Sequence, residues 1–242
     1  MSAENPRLPI ELPELTSTRF GLASADVQVT TGGSELVHPQ LVFEGEDDAF
    51  EHSFTDGRLN VRENSQGGTV VNRIGSGRGF SSVIIGNGNF DGVVISGGSI
   101  RVNGMDISVG DSASISTARR RASLLLPQGH PASHDIDTKA GDVELEGLTA
   151  RILKIATQSG DIALRGSQVE AVTLKTMSGD VEIEDTKSPS SVSATTMSGD
   201  VDVSGSEAPS WRLSTMSGDV KVKTTKGEVD ASSMSGRTRI SQ

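Results

Sequence analysis

Thr176-Met177-Ser178-Gly179-Asp180-Val181-Glu182-Ile183 returns as Thr196-Met197-Ser198-Gly199-Asp200-Val201-Asp202-Val203, and again as Thr215-Met216-Ser217-Gly218-Asp219-Val220-Lys221-Val222. Looser copies stand upstream as Thr138-Lys139-Ala140-Gly141-Asp142 and Thr157-Gln158-Ser159-Gly160-Asp161, and downstream as Ser233-Met234-Ser235-Gly236-Arg237. The six glycines step by 19, 19, 20, 19 and 18 residues. A fixed period near 20 means one supersecondary unit stacked on copies of itself.

Each period holds two strands. After Gly-Asp the apolar residues alternate with polar ones, as Val143/Leu145, Ile162/Leu164, Val181/Ile183, Val201/Val203 and Val220/Val222, which is the pattern of a strand with one buried face. A second alternating run leads into each glycine: Leu153-x-Ile155-x-Thr157, Val172-x-Leu174-x-Thr176, Val192-x-Ala194-x-Thr196, Trp211-x-Leu213-x-Thr215 and Val229-x-Ala231-x-Ser233. From the first inward residue of this run to the next glycine is always seven residues, whereas the other connection varies and holds Pro189 and Pro209. One fixed corner and one variable corner, repeated, predict an all-β protein whose C-terminal half is a β-solenoid with coils of about 19 residues. The N-terminal half, with short and unevenly spaced apolar runs, reads as irregular short-stranded β structure.

The fixed corner supplies the candidate structural and functional residues. Gly141, Gly160, Gly179, Gly199, Gly218 and Gly236 are expected to turn the chain through positive φ. By parity Thr138, Thr157, Thr176, Thr196, Thr215 and Ser233 face inward, and their hydroxyls can bond along a stack whose spacing is about 4.8 Å. Asp142, Asp161, Asp180, Asp200 and Asp219 form a carboxylate column, read first as turn-formers that bond the corner's own amides and second as a cation-binding edge. Arg237 replaces the aspartate in the last coil. Met177, Met197, Met216 and Met234 have outward parity, and form either packing beside the corner or an exposed apolar stripe.

Composition excludes several classes. The net charge of −10 argues against a broad nucleic-acid or anionic-membrane surface. The only basic run, Arg119-Arg120-Arg121, reads as a solvated turn or strand edge, with a patch for an anionic partner as the alternative. With no cysteine there is neither a disulfide nor a thiolate metal site. Aromatic residues make up 3% of the chain, so aliphatic ladders must supply the core. His38, His52, His130 and His134 include no helical metal pair, because Pro131 separates the two that are four apart. The coils are too uniform to single out a catalytic carboxylate pair, no cofactor motif occurs, and Gly75–Gly79 lacks the Gly-Lys-Ser/Thr and the helix of a phosphate loop. No apolar stretch reaches transmembrane length and Met1–Thr16 has no signal-peptide core, so the chain as given is expected in the cytoplasm.

In order, the chain reads as an extended arm at 1–18, an N-terminal β segment at 19–63, a Gly-rich short-stranded insertion at 64–115 and regular coils at 116–242, one continuous β domain. Asp56-Gly57 is a hairpin signal. Glu44-Gly45-Glu46-Asp47-Asp48 reads as a solvated loop.

The order Ala25-Asp26-Val27-Gln28-Val29, Asp56-Gly57-Arg58-Leu59-Asn60-Val61, Leu124-Leu125-Leu126-Pro127-Gln128-Gly129 and then serial Thr-x-Ser-Gly-Asp-Val resembles the bacterial adhesin-like family of unknown function called the toastrack domain, over roughly 20–63 and 116–242. The resemblance implies a non-catalytic β-solenoid domain tied to envelope-stress or surface systems, and brings no catalytic residues. The expected function is a non-enzymatic scaffold or protein-interaction module, with a cation- or carbohydrate-binding solenoid or a self-assembling subunit as the alternative. The expected contacts are unknown proteins and self-association through the C-terminal edge coil, blunted by Arg237 and Arg239.

Overall fold

The structure, a computed structural model, describes residues 9–33, 35–45, 49–64, 120–223 and 225–241, and, as backbone alone, six short strands between 72 and 115. All described elements are strands. They fall into two compact units, Met1–Glu63 with Arg120–Gln242, and Asn64–Arg119.

The larger unit holds two sheets whose strands follow the two runs of each period. The first sheet stacks Val143–Glu146, Ile162–Arg165, Val181–Glu184, Val201–Ser204, Val220–Lys223 and Thr238–Ser241 in parallel. The second stacks Ala132–Thr138, Thr149–Thr157, Gln168–Lys175, Ser191–Ser198, Glu207–Ser217 and Lys226–Ser233, also in parallel. Register is kept coil to coil: Val143, Ile162, Val181, Val201 and Val220 form one column, and Leu153, Val172, Val192, Trp211 and Val229 form another. A one-residue slip would turn every inward side chain to solvent, so the alternation itself fixes the register. The inward columns are buried up to Trp211, Leu213, Val220 and Val222; in the last coil Val229 and Ala231 are partly open and Ile240, in register with Val222, is exposed. Each buried Val or Leu contributes roughly 1.5–3 kcal/mol relative to exposure.

Length variation is absorbed where the strands of the second sheet begin. Register irregularities lie between Ala132 and His134 against Thr149–Thr157, and between Glu207 and Ser210 against Lys226–Ser233. Bulges of this kind take up an unpaired residue without shifting the strand beyond it.

The N-terminal segment joins these same two sheets. Ser17–Leu22 lies beside Ala132–Thr138, and Asp26–Thr31 lies between Val143–Glu146 and Arg121–Leu126, all in parallel. Arg58–Glu63 extends the second sheet beyond Ser17–Leu22. The coil made by 17–31 therefore sits between one made by 58–63 with 121–126 and one made by 132–146. Antiparallel strands close this end: Gln40–Glu44 on the first sheet and Phe50–Thr55 on the second. The Asp56-Gly57 hairpin has φ of 51° and 71°, the left-handed pair of a type I′ turn. The arm is pinned by Ile10 opposite Leu41 and by buried Leu12 and Leu15.

The described strands of the smaller unit pair antiparallel: Asn72–Arg73 with Val83–Ile84, Val93–Ile95 with Ala113–Ile115, and Gly98–Val102 with Met105–Val109. Gly75–Gly79, Glu46–Asp48 and Arg119 lie outside the described residues.

Candidate functional site

The repeated corner is built from three interlocking columns. The expectation of positive φ at its glycines is overturned at five of the six: only Gly218 departs, at 157°, next to the extended range. Glycine is needed for close approach instead. A Cβ on Gly160, Gly179, Gly199, Gly218 or Gly236 would fall well inside contact distance of the carbonyl oxygen of the preceding corner's glycine, and one on Gly141 would strike that of Ala25. The left-handed positions lie at the opposite corner, at Gly147 (67°), Gly166 (58°), Asp185 (48°) and Gly205 (59°).

The threonines are buried as parity requires, and their hydroxyls bond along the stack to the glycine column rather than to one another. Thr176, Thr196, Thr215 and Ser233 donate to the carbonyls of Gly160, Gly179, Gly199 and Gly218 at 3.2, 3.0, 2.9 and 2.7 Å. Thr138 instead accepts from Gly141 N–H at 3.2 Å, and the Thr157 hydroxyl is left without a partner. A second buried hydroxyl column at the variable corner was not foreseen. Ser167, Thr186, Ser206 and Thr225 each donate to the carbonyl two residues back, and the hydroxyls of Ser167 and Ser206 accept the N–H groups of Leu148 and Thr186.

The aspartates form a ladder of carboxylate-to-amide bonds. Oδ1 of Asp142, Asp161, Asp180 and Asp200 accepts the N–H of the next coil's aspartate at 3.0, 2.8, 2.7 and 2.8 Å. Asp219 accepts Arg237 N–H at 2.9 Å, where the ladder stops for want of a further carboxylate. At the other end Asp26 joins the column by accepting Asp142 N–H at 3.1 Å. Lys221 Nζ lies 2.9 Å from Asp200 Oδ2 and 3.5 Å from Asp202 Oδ2. The Asp219 amide and this lysine hold the Asp200 carboxyl below its ordinary pKa. The expected bond to the corner's own amides is thus replaced by one to the next coil's, which occupies Oδ1 of each aspartate. Among the described residues no three His, Asp or Glu side chains are grouped as a metal site.

Met177, Met197, Met216 and Met234 are 51%, 44%, 46% and 79% exposed, so the stripe faces solvent. Two of the histidines are structural, whereas His38 and His52 are exposed. His130 Nε2 donates to the Leu15 carbonyl at 2.7 Å, and His134 Nδ1 shares a hydrogen bond of 2.9 Å with the Thr18 hydroxyl. Burial, with His130 nearby, lowers the pKa of His134 to about 4, so it is neutral inside the core.

One unforeseen residue finishes the stack. The carboxylate of Glu63, 2% exposed, accepts the N–H groups of Ala23, Ser24 and Ala25, the Ser24 hydroxyl and Arg120 Nη1. Burial alone would raise its pKa, but the bonds from Ser24, Ala25 and Ala23 outweigh it and leave a net lowering. Arg120, read from sequence as part of a solvated turn, is the ion-pair partner of this buried group.

Fold and corner together define a parallel two-sheet β-solenoid locked by polar ladders. The chain belongs to the family described as Toastrack DUF4097, whose profile matches residues 20–242. No curated protein matches it in sequence. Among solved structures it is similar to a "putative cell adhesion protein" from Clostridium sporogenes ATCC 15579, 10% identical with a TM-score of 0.43, over 98% of this chain and 100% of that one. It is similar also to a "putative adhesin" from Bacteroides fragilis NCTC 9343, 12% identical with a TM-score of 0.46, over 98% of each.

Proposed function

We propose that the protein is a non-enzymatic β-solenoid that works as a scaffold or protein-interaction module, in a bacterial envelope-stress or surface-associated system. The observation that carries the reading is the methionine stripe. Four consecutive coils present the same flexible apolar side chain to solvent at a spacing of about 4.8 Å, on a backbone whose register is locked. In the first three of these coils the large inward aliphatics are buried, so Met177, Met197 and Met216 are not exposed for want of interior space. Unbranched thioether side chains adapt to a partner's shape at little strain. Family membership supports the same class of role. Among the described residues no helix is long and apolar enough to cross a membrane.

The expected result is that Met197→Glu with Met216→Glu leaves the thermal midpoint within the small range of surface substitutions. The same double variant should lose most of the protein captured by the wild type from lysate of the native cell. Identical capture by both would remove the stripe from the interaction surface.

A second reading is favoured by the open edge. Among the described residues Lys226–Ser233 and Thr238–Ser241 are the terminal strands of their sheets, a template for another copy, against which stand the charges of Arg237 and Arg239. Light scattering at rising concentration is expected to show a small oligomer that Thr238→Pro dissolves; a monomer throughout would sink this reading. For a cation-binding column, Oδ2 is what the ladder leaves to an outside ion, except at Asp200, where Lys221 already takes it.

A further inference from the structure

We propose that the outer face of the second sheet, at its N-terminal coils, is a binding groove for an oxyanion-bearing ligand: a carboxylate, sulfate or phosphate ester. The groove has a volume of about 450 Å³ and is lined by Arg19, Arg58, Lys154, Ser17, Asn60 and Ser133. Four adjacent strands bring these residues together. Arg58 lies opposite Ser17, which lies opposite Ser133, while Asn60 lies opposite Arg19, and Arg19 and Lys154 both face Asp135 across neighbouring strands.

Two features set this site apart from a plain sheet face. Arg151 and Ile152 together stand opposite Ser133, so the strand bulges there, and both residues turn to solvent. Ile152 is 45% exposed at the groove wall and offers an apolar contact beside the charges.

Charge selects the ligand class. Against three cationic side chains the groove lining holds one carboxylate, Asp135, and none of Arg19, Arg58 and Lys154 is committed to a salt bridge. The chain as a whole carries a net charge of −10, and the outer face of the first sheet displays Asp142, Glu144, Asp180, Glu182 and Asp202. A local cationic groove on such a chain repels no anion at close range, and its guanidinium forks match oxyanions in bidentate geometry. Ser17, Ser133 and Asn60 add neutral donors, which hold a planar or tetrahedral oxyanion in one orientation.

The test is titration of the full chain with sulfate, glucose 6-phosphate and glucuronate at constant ionic strength in chloride, followed by calorimetry and by thermal midpoint. At least one probe is expected to bind saturably, and Arg19→Gln with Arg58→Gln to weaken it tenfold or more. Arg212→Gln, on the same sheet but outside the groove, is expected to change nothing. Tighter binding of either sugar acid than of sulfate would show that the saccharide rests on Ile152; equal binding would assign the site to the oxyanion itself. No saturable binding by any probe, or equal affinity in the double variant, overturns the proposal. All three substituted residues are exposed, and unliganded melting curves check that the variants fold. The groove shares no residue with the methionine stripe, so its failure would leave the interaction-module reading intact.

Discussion

Gly179→Val is expected to destabilise the protein by about 3 kcal/mol or more, the upper range of overpacking. The Cβ would overlap the carbonyl oxygen of Gly160 and approach Asp161 Oδ1. Neither neighbour can give way cheaply: the Gly160 carbonyl accepts the Thr176 hydroxyl, and Asp161 Oδ1 accepts the Asp180 amide. Moving the coil apart to admit a methyl would break the polar ladder on both sides of the corner. A companion substitution separates sterics from dihedral strain. Gly166 has φ of 58° but its Cβ would meet nothing nearer than 4.0 Å, so Gly166→Ala should cost only about 1 kcal/mol. Urea unfolding of Gly179→Ala and Gly166→Ala measures both, and a larger loss at Gly166 would show that backbone dihedrals, not coil spacing, demand the corner glycines.

That pair of glycines also marks where reading a sequence stops. A column of glycine every 19 or so residues says that a Cβ is unwelcome, and either positive φ or close approach produces the same letter. The period, the two strands per coil, their inward residues and their register were all legible, because burial on a pleated strand writes itself as alternation. Serial Gly147, Gly166 and Gly205 keep nearly the same step and mark the left-handed corner, but Asp185 interrupts them and the louder Ser-Gly-Asp phrase drew the turn assignment. The second hydroxyl column was hidden for a similar reason. Leu148 occupies the first of its places, so Ser167, Thr186, Ser206 and Thr225 do not begin where the repeat begins.

Asp26 and the groove were illegible for different causes. Ala25-Asp26-Val27 is the corner phrase with alanine in place of glycine, and this becomes intelligible once the neighbour is known. At Ala25 the Glu63 carboxylate takes the amide, and no earlier glycine corner, whose carbonyl would exclude a Cβ, stacks against it. The groove draws Ser17 and Arg19, Arg58 and Asn60, Ser133 and Lys154 from four strands whose order in the sheet is not their order in the chain. No spacing rule joins residue 19 to residue 154. The parallel pairing of 17–22 with 132–138 decides it, and that pairing requires knowing that the coil made by 17–31 sits between two later ones.

Glu63→Ala is the second large effect, expected to cost roughly 3–5 kcal/mol, as for removal of one partner of a buried ion pair. The reason lies in what stacking leaves undone. Each Ser-Gly-Asp corner has its Asp amide satisfied by the coil before it; at the first corner the Arg120 carbonyl takes the Asp26 amide, and the three amides ahead of it, Ala23 to Ala25, have no earlier glycine corner to serve them. Glu63 supplies the acceptor instead, taking three amides, a hydroxyl and a guanidinium on one carboxylate. Its removal strands donors that water reaches poorly, each costing about 1–3 kcal/mol, and leaves Arg120 without this partner. Glu63→Gln keeps the shape but loses the charge and one acceptor oxygen, so it is expected to fall between the wild type and alanine. The pH dependence has a fixed sign. The folded pKa of Glu63 lies below its ordinary value of 4.5, so the carboxylate's stabilisation is complete above that value and is lost as pH falls through the folded pKa. Urea midpoints from pH 7 downward should therefore decline below about pH 4.5 more steeply in the wild type than in Glu63→Gln. Parallel curves for the two proteins, or an alanine variant as stable as the wild type at pH 7, would show that the end of the stack is closed by something other than this carboxylate.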